Sequence, residues 1–122
     1  MQLAAQILIG FVAFIHIYIL WLEMFAWTTR APKVFKNFPK DLFPPTKSLA
    51  ANQGLYNGFL AAGLIWSLFI CDQVWQNNVA IFFLGCVFVA GVYGAATASK
   101  KILFVQSVPA AIGLALILLQ KL

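Results

Sequence analysis

The hydrophobic positions of the chain fall into four long runs, residues 3–27, 49–70, 79–98 and 102–119, separated by short polar or basic breaks. At 1.5 Å per residue, each run is long enough to cross about 30 Å of hydrocarbon as a helix. The pattern predicts an all-α protein, an integral membrane four-helix bundle that uses residues 1–122 as one four-span domain. The break at residues 28–48 has a pattern of its own. Phe35, Phe38 and Leu42 recur at helical spacing with Lys33, Lys36 and Lys40 between them, which suits a short segment lying in the membrane interface. Pro32, Pro39, Pro44 and Pro45 limit any helix there to a turn or two.

Composition supports the reading of the runs as spans. With 63% hydrophobic and 9% charged residues, and a mean hydropathy of +0.92, the chain lies well outside soluble domains, of whose residues about a quarter are charged. The first run is expected to stay as a permanent helix. No basic residue precedes it in Met1-Gln2-Leu3-Ala4, and it is too long for the core of a cleaved signal.

Charge then sets an expected orientation, because loops on the cytoplasmic side retain Lys and Arg. Arg30, Lys33, Lys36, Lys40 and Lys47 lie between the first two runs, Lys100 and Lys101 lie between the last two, and Lys121 alone lies on the opposite side. Both termini are therefore expected outside. The net charge of +5 reads as topology and attraction to anionic membrane lipids, and gives no support to nucleic-acid binding.

Small residues predict how the helices pack. Gly54, Gly58 and Ala62 in the second run, and Cys86, Ala90, Gly94 and Ala98 in the third, recur every four residues, the ridges that let helices approach closely in lipid. Cys71 should lie at the outer end of the second run and Cys86 about 13 Å deeper in the third, so a disulfide is not expected.

The candidate chemistry lies in polar residues inside the runs. Counted at 1.5 Å per residue from the basic loops, Glu23 is about 10 Å deep, Asn52 about 8 Å, Asn57 about 15 Å, Tyr93 about 10 Å and Gln106 about 8 Å. All five fall in the cytoplasmic half, which suggests a pocket that opens inward and is closed toward the outside. Asn52 and Tyr56, like Gln53 and Asn57, are four residues apart, so polar groups wrap one turn that must face protein or water. Glu23 carries the most weight, because an ionisable group within a span is costly and marks a functional site by default. His16, Leu20, Glu23 and Trp27 form one stripe down one face of the first helix. One His without a cysteine pair supplies too few ligands for a metal or haem, so no metal and no cofactor is expected.

The blocks Ile15-His16-Ile17-Tyr18, Leu22-Glu23-Met24-Phe25-Ala26-Trp27 and Ala51-Asn52-Gln53-Gly54-Leu55-Tyr56-Asn57-Gly58-Phe59-Leu60, with Val92-Tyr93-Gly94, Gln106 and Pro109, together resemble the bacterial domain-of-unknown-function family thirteen-oh-four. The resemblance covers nearly the whole chain and implies a small four-span protein of the bacterial cytoplasmic (inner) membrane, with no activity attached. Members of that family commonly place an acid immediately before the His, where this chain has Ile15, so a proton relay through such an acid is in question.

The first expectation for function is a binding or carrier protein. Its inward pocket takes a small amphipathic molecule of the lipid, quinone or isoprenoid class, with Glu23, Asn57, Asn52, Gln53, Trp27, Tyr93 and Gln106 as lining. An alternative is a membrane isomerase in which Glu23 and His16 exchange a proton with an apolar substrate. A proton-coupled exporter and an accessory subunit docked on a larger membrane complex are further alternatives. A homo-oligomer is left open.

Overall fold

A computed structural model describes residues 3–122; Met1 and Gln2, part of the stretch read as free of basic charge, lie outside the described residues. The described chain is all-helical. Helix α1 spans Leu3–Phe25, α2 is a single turn at Ala31–Val34, and 3-10 turns follow at Lys40–Leu42 and Pro44–Thr46. Helix α3 then spans Lys47–Phe69 and α4 spans Gln73–Thr97; a π-helical turn at Leu103–Ser107 leads into α5 at Val108–Leu119. Helices α1 and α4 are long and apolar enough to cross a membrane, and the stretch Leu103–Leu119 is apolar but shorter.

The helix ends have local causes. Pro44 and Pro45 open the 3-10 turn that runs into α3, since proline needs no amide partner at a helix start. Helix α4 starts at Gln73, six residues before the apolar run, because the Asp72 carboxylate caps it by accepting a hydrogen bond from the Trp75 amide at 2.9 Å. The π turn has its origin in Pro109 at the start of α5. Proline offers no N–H to the carbonyl four residues back and crowds it, and the widened turn lies immediately upstream.

The chain divides into two compact units: residues 3–13 with 60–122, and residues 14–59. In the first, Ala5, Ile9, Val12, Leu64, Ala80, Leu84, Val87, Ala110 and Ile117 form the core. Close approaches occur where side chains are minimal. Gly63 lies under the Phe83 ring, and Gly91 lies against Ser107, whose hydroxyl donates to the Phe88 carbonyl at 2.9 Å. The four-residue ridge expected in the third run is only partly used: Gly94 approaches Ile102 closely. Ala90 and Ala98 are exposed, and the tightest contact of this helix face is made by Gly91, off that ridge. Cys71 is exposed and Cys86 half-buried, both as free thiols.

In the second unit a small core of Leu22, Ala31 and Phe43 carries Trp27, Phe35 and Phe38 packed against it. The Trp27 ring lies 5.8 Å from Phe35, 5.7 Å from Phe38 and 4.8 Å from Phe43. This corrects the expected interfacial face of the segment. Phe35 and Phe38 turn inward onto Trp27 and Phe43, and of the expected apolar trio only Leu42 is exposed. Aromatic pairs in such contact gain about 0.5–1.5 kcal/mol beyond their buried area, which favours the inward arrangement.

Candidate functional site

The site is built in the unit of residues 14–59 by the crossing of α1 and α3. Gly54 makes that crossing possible: a Cβ there would lie 2.8 Å from Met24 Cγ, 2.9 Å from Glu23 Cβ and 3.2 Å from the Leu20 carbonyl oxygen. At Gly58 a Cβ would meet Leu20 Cδ1 at 2.5 Å. The two glycines bring the helices close enough for one side chain to bridge them. Asn57 Nδ2 donates to Glu23 Oε1 at 2.7 Å, and also to the Gln53 carbonyl one turn back at 3.3 Å. Glu23 is 4% exposed, so its carboxyl is held inside the protein with an amide as its donor.

The other expected site residues divide sharply. His16 is fully buried, two turns from Glu23 on the same helix. Asn52 and Gln53 are exposed on α3, and the Gln53 backbone oxygen accepts from Asn57. Trp27 lies beyond the end of α1. Its indole N–H donates to Thr46 Oγ1 at 2.9 Å, and the Thr46 hydroxyl donates on to the Leu42 carbonyl at 2.7 Å, so Trp27 fastens the loop. Tyr93 and Gln106 belong to the other unit. Tyr93 is exposed and lines a shallow apolar groove with Phe88, Val89, Val92 and Ala96, and Gln106 is half-buried near Gly91.

One polar group escaped the sequence reading, which began the third helix at residue 79. Gln76 and Asn77 are buried. Gln73 Nε2 donates to Gln76 Oε1 at 3.2 Å and to Asn77 Oδ1 at 3.1 Å, and Gln76 Nε2 donates to the Ile70 carbonyl at 3.2 Å. Asp72 three residues before Trp75 was the available signal, since an acid at that position opens helices.

A family model described as protein of unknown function (DUF1304) matches residues 10–118. The chain belongs to the DUF1304 family. A relative within reach of direct comparison is the uncharacterized protein YpaA of Lactococcus lactis subsp. lactis (strain IL1403), 31% identical over 108 residues, which cover 87% of this chain and 89% of that protein. No solved structure matches the chain. The matched stretch, residues 10–118, contains the crossing of α1 and α3.

Proposed function

We propose that this DUF1304 protein is a four-span membrane protein with both termini outside, in which Glu23 and Asn57 anchor a small amphipathic molecule of the lipid, quinone or isoprenoid class. The membrane part of the reading is supported by the outward faces of the helices. Ile7, Phe11, Phe14, Trp66, Phe69, Phe82 and Val89 are each more than half exposed, and apolar surface on that scale requires an apolar neighbour. Only 28% of the most apolar window of α1, and of α4, is buried, whereas the core helix of a soluble protein is mostly buried.

The binding part rests on one observation, the hydrogen bond from Asn57 to Glu23 at 2.7 Å. Glu23 lies in the last turn of α1, two residues before its end, where a charged side chain costs less than the about 2.5–3.5 kcal/mol of a helix centre, and an interhelical hydrogen bond returns about 0.6–2 kcal/mol. Asn57 donates to Oε1, and a hydroxyl of a bound molecule would donate to Oε2.

The test is native mass spectrometry of gently extracted wild type beside Glu23→Gln, with any co-purifying small molecule identified by fragmentation. A molecule retained by wild type and lost in a folded Glu23→Gln variant is the expected result. A folded wild type that carries no small molecule, or one that Glu23→Gln retains equally, would sink the reading.

A further inference from the structure

The loop between α1 and α3 holds its aromatic side chains inward, and that arrangement decides where its lysines go. With Ala31 fully buried and Phe35 and Phe38 packed on Trp27 and Phe43, the intervening Lys33 and Lys36, and Lys40 beyond them, stand exposed. They line an open basin of about 760 Å³ together with Thr28, Thr29 and Pro32. No carboxylate lines the basin, although Asp41 is the next residue after Lys40. Ammonium groups gathered around one basin repel one another, and an anion placed between them relieves that repulsion.

We propose that this basin binds a phosphate group borne on a larger molecule. The hydroxyls of Thr28 and Thr29 add neutral donors to the three ammonium groups, a set that suits a tetrahedral anion with several acceptor oxygens, for which Lys is a recognised point-charge partner. The basin is far larger than the roughly 30 Å³ taken by one water, so it has room for the phosphate and its substituent. Two sources carry this chemistry: the headgroup of an anionic lipid, and a soluble phosphate ester. The site is separate from Glu23 and does not depend on the function proposed above.

The full chain in neutral detergent micelles containing equal phosphatidylglycerol and phosphatidylcholine, read by native mass spectrometry, tests the proposal. Wild type should retain phosphatidylglycerol preferentially. The variant Lys33→Gln/Lys36→Gln/Lys40→Gln should lower that preference at least about tenfold. Lys100→Gln/Lys101→Gln/Lys121→Gln, which removes the same charge elsewhere, should leave it, as should Lys33→Arg/Lys36→Arg/Lys40→Arg. If the Gln variant does not fold by circular dichroism, Thr28→Val/Thr29→Val supplies the reading, with a smaller loss expected.

Addition of glycerol phosphate or inorganic phosphate separates the sources. Displacement of the lipid by either assigns the basin to soluble phosphates, and retention of the lipid assigns it to the headgroup; both outcomes support a phosphate site. Equal loss in the two Gln variants would reduce the effect to net charge and overturn the proposal, as would a wild type with neither a phosphatidylglycerol preference nor phosphate binding.

Discussion

Gln73, Gln76 and Asn77 satisfy one another within a single turn of α4, whereas Asn57 on α3 reaches 34 positions along the chain to Glu23 on α1. Each group holds buried polar side chains, Gln76 and Asn77 in the one and Glu23 in the other. The amide cluster is local, contains no ionisable member, and forms directly behind the Asp72 cap, so its geometry follows from helix periodicity alone. The Glu23–Asn57 pair exists only because two helices cross at Gly54 and Gly58. A local cluster is explained by the helix that carries it; a long-range pair with an ionisable group needs a reason beyond the helix.

The largest effect should come from closing the space that permits the pair. Gly54→Ala pushes Met24, Glu23 and the Leu20 carbonyl apart and should destabilise the protein by about 1–3 kcal/mol. Gly85→Ala, where a Cβ meets nothing within 4 Å, should instead stabilise by up to about 1 kcal/mol through helix propensity. Denaturant unfolding in detergent compares them, and equal responses would break the claim that Gly54 sets the crossing.

Next in size is the pair itself. Asn57→Ala leaves the buried Glu23 carboxyl without its donor and should cost about 1–3 kcal/mol. In a double-mutant cycle with Glu23→Gln, the two changes should be non-additive; additivity would mean that the 2.7 Å contact carries no coupling.

The smallest effect should be in the amide cluster, where Asn77→Ala removes one of the two acceptors that share the Gln73 amide and should cost about 0.6 kcal/mol. A loss as large as that of Asn57→Ala would erase the distinction between the two groups.

The helices, and Glu23 and Asn57 as separate candidates, were legible for the same reason: both follow from counting. Apolar runs end within about two residues of α1 and α3, and Glu23 and Asn57 come from expected depths of about 10 and about 15 Å on two helices. The start of α4 was not legible from hydropathy, because Gln73, Gln76 and Asn77 break the apolar run while continuing the helix. The loop was misjudged for a different reason. Phe35, Phe38 and Leu42 do recur as on an amphipathic surface, but the partner that draws the two rings inward is Trp27, fastened through Thr46 from 19 positions away, and no local spacing encodes that contact. Asn52 and Gln53 show the converse limit: depth along a helix was estimated, while exposure, which depends on what packs beside that helix, was not.

The π-helical turn at Leu103–Ser107 alters how the end of the chain is to be drawn. Its closing bond runs from the Val108 amide to the Leu103 carbonyl, five residues back, so this turn takes up one residue more than an α turn. Beyond it, Ser107, Ala110, Gly113 and Ile117 hold a steady inward bearing, while residues 102–106 approach on an axis advanced by about 100°. A wheel projected through residues 102–119 with one constant angle per residue smears these two faces into one. Drawn in two phases, with the break at the π turn, the last helix resolves into a face carrying Ser107 and Gly113 against α4 and a separate approach that begins at Ile102 beside Gly94.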